Sequence, residues 1–269
     1  MFHIGTAGMP LACKGTETVR ALECIKSLNL SALEIAFTHG IYLNREKARE
    51  IFLENKKHNI KLSIHAPYTI NLSSLNPNVL RQSTESMIKC LELADILNAS
   101  PVVFHPGYFS GRSKADALAV LKKSLADITW RGFSAKVGVE TMGSQSKIGT
   151  LDEVIDICRE VKGTMPVIDF AHIHAHGNGA LKTEKDFRNI FERLEKELGT
   201  KTFHCHMTCV KYENGNEKYH LPLDAFEPDF RVLANILTEN KYNITVVSES
   251  PILEEDAFKF IRWLDEARQ

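Results

Sequence analysis

"VIDFAHIHAHGNG", residues 167–179, decides how the chain is read. A β-rich run ends on Asp169, and histidines follow at His172, His174 and His176. An acid at a strand end with imidazoles just beyond it offers the donor types that divalent metals take. A fold that uses them must bring further donors to the same place.

The pattern recurs along the chain. Short β-rich runs fall at 2–5, 32–37, 61–66, 101–106, 136–140, 166–170, 202–207 and 243–249. Between them lie stretches with helical spacing at 16–28, 44–58, 77–98, 114–130, 150–162, 183–198, 227–240 and 254–268. The clearest is 77–98, opened by Asn76 as N-cap and Pro77 in the first turn. Alternation eight times over, with no linker or low-complexity segment, predicts an α/β fold: a single (β/α)8 TIM barrel spanning 1–269 as one domain. The rival is a doubly wound open sheet. It usually carries a glycine-rich phosphate loop after its first strand, and "GTAGMP" matches that loop poorly.

Composition agrees with a large packed core. Of 269 residues, 43% are hydrophobic and 25% charged, which needs no disulfide staples. The six cysteines form no CxxC pair and read as reduced thiols. The N-terminus lacks a charged segment followed by a long apolar run, and no apolar run suffices for a membrane span. The expectation is a cytoplasmic protein without membrane association, acting as a monomer. A net charge of -1 gives no global attraction to a polyanion.

The strand ends carry the chemistry. The third run ends at His65, the fourth at His105, the fifth at Glu140 and the sixth at Asp169. The seventh carries His204 and His206, and the eighth ends at Glu249. In a barrel these ends share the C-terminal face, where active sites are built. One such histidine is an ordinary hydrogen-bonded residue, but successive strand ends bearing donors point to metal. Glu34, on the second strand, reads either as a ligand partner at the barrel mouth or as a charge balance.

At these residues the sequence resembles the endonuclease IV family of apurinic/apyrimidinic endonucleases, within the xylose-isomerase-like barrels. The resemblance rests on "HAPYTINL" (65–72), "FHPG" (104–107), "VETMG" (139–143), "IDFAH" (168–172), "CHM" (205–207) and "SES" (248–250). It implies a zinc-dependent hydrolase that cleaves the DNA backbone 5′ to abasic sites, as in base-excision repair. One zinc would take His65 and His105, with Glu140 bridging to a second and serving as the catalytic residue. The second would also take Asp169, His206 and Glu249, and the third His172 and His220. Manganese or iron would suit the same donors. Tyr68 matches a family tyrosine at the site. His174 and His176 match no family ligand, and are either partners of ligands or loop residues near the substrate.

The sequence departs from the family at the third metal. The family has an Asp two residues before the second histidine, and here that position is Lys218. Lysine is a poor metal ligand at neutral pH. The expectation is therefore two complete sites and a weakened third, with Lys218 binding substrate phosphate instead. Glu217 would help only if its loop shifted. Aromatic and basic residues on the mouth loops, Tyr42, Arg45, Tyr108, Phe109, Arg112 and Lys114, suit either a nucleic-acid groove or an ordinary surface. The alternative to the nuclease is a single- or two-metal sugar isomerase or epimerase; such enzymes typically keep one metal, for which Glu140, Asp169, His206 and Glu249 would serve. A metal-stabilised binding protein is a third class.

Overall fold

The computed structural model describes residues 1–269. Its strands in chain order are β1 (Phe2–Ala7), β2 (Ala32–Ala36), β3 (Lys61–His65), β4 (Val102–Phe104), β5 (Val137–Glu140), β6 (Thr164–Asp169), β7 (Thr202–Met207), β8 (Cys209–Glu213), β9 (Asn216–Leu221) and β10 (Asn243–Ser248). Eight of them close a barrel in the order β1-β10-β7-β6-β5-β4-β3-β2, with every pairing parallel. This is the expected α/β barrel, and the eight predicted runs are its eight strands. Both sheet faces are covered, so the strands read as nearly continuous apolar runs rather than alternating ones.

The helices are α1 (Thr18–Ser27), α2 (Arg45–His58), α3 (Pro77–Leu97), α4 (Lys114–Thr129), α5 (Leu151–Glu160), α6 (Phe170–His176), α7 (Glu184–Leu198), α8 (Phe230–Glu239) and α9 (Glu254–Glu266). The Asn76 side chain caps α3 by accepting from the Asn78 and Val79 amides. Thr150 and Glu153 form a capping box on α5. No helix is long and apolar enough to cross a membrane.

Two features depart from the alternation. The first is α6, a seven-residue helix that follows β6 directly. Its first residue, Phe170, is fully buried and packs on Phe187 and Phe191 of α7 and Phe230 of α8, at centroid distances of 5.5, 6.0 and 6.0 Å. That packing fixes the helix carrying His172. The second is the antiparallel hairpin β8–β9, standing outside the barrel. Its turn is Asn214-Gly215, both at positive φ (51° and 72°), as a tight two-residue hairpin requires.

The cysteine expectation needs correction. Cys13 and Cys24 are joined by a disulfide, because the short helical turn Leu11–Cys13 packs against α1 with the two Cα atoms 6.0 Å apart. The other four are free thiols: Cys90, Cys205 and Cys209 are buried, and Cys158 is partly buried.

Candidate metal centre

Glu140 ends β5 fully buried at the C-terminal mouth of the barrel. Its two oxygens face different neighbours. Oε2 lies 3.3 Å from His65 Nε2 and 3.2 Å from His105 Nε2. Oε1 lies 3.1 Å from His206 Nδ1 and 3.3 Å from His172 Nδ1. One carboxylate thus joins imidazoles from β3, the end of β4, β7 and α6, which is the arrangement of a bridging ligand.

Asp169 and His172 are set by a helix cap. Asp169 is the N-cap of α6, and its Oδ1 accepts the His172 amide at 2.8 Å. Its Oδ2 is buried without a hydrogen-bond partner. The spacing D-x-x-H is therefore N-cap geometry: one oxygen starts the helix and the other is left for the cleft. Asp169 also sits across from His206 in the β6–β7 register.

His65 and His220 are each anchored through one nitrogen. His65 Nδ1 is 3.0 Å from the Ala66 carbonyl oxygen, and His220 Nδ1 is 3.1 Å from that of Glu249. His206 Nε2 lies 3.0 Å from Glu34 Oε1. Glu34 is fully buried, and its Oε2 is 2.8 Å from His204 Nε2 and accepts from Ser63 Oγ at 2.9 Å. Glu34 and His204 thus stand behind His206 as its orienting partners, a role that outer carboxylates commonly fill for metal-ligating histidines.

The third cluster differs from the sequence expectation. Glu217 reaches it without any shift: Oε2 is 2.9 Å from His172 Nε2 and Oε1 is 2.9 Å from His220 Nε2. Lys218 is exposed, with Nζ 3.3 Å from Glu213 Oε2, and does not line the cleft. The cause is a bulge in the hairpin. Lys211 pairs with Tyr219 and Tyr212 with Glu217, which leaves Lys218 as the extra residue. A bulge reverses the alternation beyond it, so Glu217 shares a face with His220 and Lys218 turns outward. Gly143 makes room for the docked hairpin. Its carbonyl accepts the Glu217 amide at 2.7 Å, and a Cβ there would lie 2.9 Å from His172 Cδ2. The role expected of Lys218 at the cleft is withdrawn, and the third cluster has its carboxylate.

The remaining histidines of the opening stretch are not in the clusters. His174 is buried and accepts the Leu181 amide at Nδ1, so its Nε2 donates to Glu227 at 2.8 Å. His176 closes α6 away from the cleft.

Five groups of donors have ligand atoms within 4.8 Å of one another; two contain Glu34 (with His204 and His206, and with His65 and Glu249), and the other three are His65, His105 and Glu140; Glu140, Asp169, His206 and Glu249; and His172, Glu217 and His220. His65, His105, His172, Glu217, His220 and Glu249 line a cleft of about 270 Å³, together with Tyr68, Tyr108, Met142 and Lys147. The exposed Tyr68 ring stacks on His105 at 5.3 Å.

The electrostatics fit metal. Burial pushes the Asp169 carboxyl up to about 6. Burial opposes charge on His65 too, but Glu140 outweighs it and pushes the imidazole up to about 9. His220 is likewise pushed up to about 9, burial being overcome by Glu217. Glu140 stays well below the usual carboxylate range because the surrounding imidazoles overcome its burial. Protons on these imidazoles hold the acids together when no metal is bound. The orphaned Asp169 oxygen and the O/N donor types are those of a site for zinc, manganese or iron.

The chain belongs to the family described as the xylose isomerase-like TIM barrel, whose model matches residues 22–267. It is 32% identical to an uncharacterized protein of Methanocaldococcus jannaschii, over 99% of this chain and 98% of that one. It is 26% identical to a probable endonuclease 4 of Aquifex aeolicus, over 57% of each chain. Among solved structures it is similar to a D-tagatose 3-epimerase-like protein, with a TM-score of 0.76, 22% identity, and 98% and 96% of the two chains covered. That last likeness is one of fold.

Proposed function

We propose that the protein is a zinc-dependent phosphodiesterase that hydrolyses the DNA backbone 5′ to abasic sites. The observation that carries this reading is the third donor set, His172, Glu217 and His220, beside two sets joined by Glu140. A single-metal epimerase needs one ion on Glu140, Asp169, His206 and Glu249. It would leave His65, His105, His172, Glu217 and His220 without a task. Charge points the same way. Three divalent cations against the carboxylates of Glu140, Asp169, Glu217 and Glu249 leave the cleft positive, which suits a phosphodiester.

The first ion would be held by His65, His105 and Glu140. The second would be held by Glu140, Asp169, His206 and Glu249, and the third by His172, Glu217 and His220. When bound, such ions supply a nucleophile at neutral pH and neutralise charge developing on phosphoryl oxygens. The chain's own residues set the geometry. Glu140 holds the sets in register, Glu34 orients His206, and Asp169 places His172 through the α6 cap. Tyr68, exposed and stacked on His105, offers a flat face to an unpaired sugar or base.

The test is cleavage of a duplex carrying one abasic site, with His105→Ala as control. Cutting 5′ to the lesion by the wild type, lost in the variant, supports the proposal. No cutting by metal-loaded protein would overturn it and return attention to the epimerase reading.

A further inference from the structure

We propose that Lys147 is the anion-binding residue of the cleft, contacting a substrate phosphate at its mouth. This deepens the phosphodiesterase reading and rests on it for the identity of the substrate, not for the contact itself.

Lys147 is the one lysine or arginine lining the cleft. The other cations near the mouth are committed elsewhere. Arg45 Nη2 is 2.7 Å from Glu92, and Lys114 Nζ is 3.8 Å from Glu153. The Arg112 guanidinium braces the carbonyls of Ser73, Tyr108 and Phe109. Lys218 pairs with Glu213. Lys147 has no carboxylate partner, and its Nζ lies 5.7 Å over the Tyr108 ring.

Its position is built, not incidental. The loops after β4 and β5 pair as a short antiparallel bridge between Tyr108 and Lys147. The Phe109 amide bonds the Ser146 carbonyl at 3.2 Å, and the Ile148 amide bonds the Gly107 carbonyl at 3.0 Å. Gly107, at φ 111°, has no room for a side chain, since a Cβ would lie 2.6 Å from Asn71 Oδ1 and Ser73 Oγ. Two loops are thus locked so that a tyrosine face and a half-buried lysine border a cleft whose other charged and titratable residues are mostly acids and imidazoles. A lysine on a flexible stem serves a phosphate as a point charge, and the aromatic ring limits where that charge can go.

The experiment titrates inorganic phosphate into zinc-loaded wild type, Lys147→Gln and Lys147→Arg by calorimetry. Loss of one charge-assisted contact weakens phosphate about tenfold in Lys147→Gln. Lys147→Arg retains affinity within about threefold, and zinc content is equal in all three. Wild type that binds no phosphate, or Lys147→Gln that binds it as tightly as wild type, overturns the proposal. On an abasic duplex, Lys147→Gln raises KM about tenfold with kcat within about twofold, and lowers the salt slope of binding by about one. If the protein cuts no abasic DNA, the nuclease reading fails, while the phosphate titration still decides the role of Lys147.

Discussion

The barrel strands and the β8–β9 hairpin both bring donors to the cleft, and they do so by different rules. The strands deliver them by topology: parallel strands end on one face, so His65, Glu140 and Asp169 meet although far apart in sequence. The hairpin delivers Glu217 and His220 by an irregularity, the bulge at Lys218. A regular element places side chains by counting. An irregular one places them by where the count is broken.

The largest effect should come from the residue that joins the sets. Glu140→Gln should lower cleavage by on the order of 10³-fold and reduce bound metal at more than one position, as read by elemental analysis. Full metal content in that variant would mean that Glu140 does not bridge. Exchanging the two residues, Glu217→Lys with Lys218→Glu, attacks the other side of the comparison. The carboxylate then sits on the outward-turned bulge residue, and activity should fall by about 10²-fold with one metal lost. Circular dichroism would show that the barrel is intact, and retained metal would refute the bulge argument. Behind His206, Glu34→Gln should weaken metal binding about tenfold while leaving the number of sites unchanged, measured by competition with a chelator.

Protons and metals compete for the same nitrogens, which gives a pH signature. His65 and His220 rise from 6.5 to about 9 in the metal-free fold, so the folded state holds protons that the unfolded chain releases. Their contribution to stability is full below pH 6.5 and gone above about 9. The Tm of metal-free protein should fall across that window, and the gain in Tm on adding zinc should grow across it. A zinc-induced gain independent of pH would show that these imidazoles are not displaced from their protons. The smallest effect belongs to the Lys218 side chain itself. Lys218→Ala keeps the bulge and should cut within about twofold of wild type, and Lys218→Asp should gain no metal affinity.

The same contrast explains what the sequence discloses. The barrel is legible because β-rich runs and helical spacing alternate without interruption, and the strand-end donors follow from the topology. The hairpin also leaves a trace, since Asn214-Gly215 between alternating runs is a strong turn signal, although eightfold alternation has no place for it. The bulge leaves none. Strict alternation puts Lys218 on the face of His220 and Glu217 on the other, and only the paired register shows the reverse. Lys147 is hidden for a related reason: the bridge that pins it joins two loops distant in sequence. The Cys13–Cys24 bond also depends on packing that spacing alone does not reveal.

The central claim is that the hairpin completes a third donor set, and counting metals tests it most directly. Zinc per chain in the wild type and in Glu217→Gln, measured by mass spectrometry after equilibration with limiting free zinc, should differ by one ion. The two sets joined by Glu140 should stay filled. Equal counts in the two proteins would contradict the account and leave the third cluster as a hydrogen-bonded group of side chains.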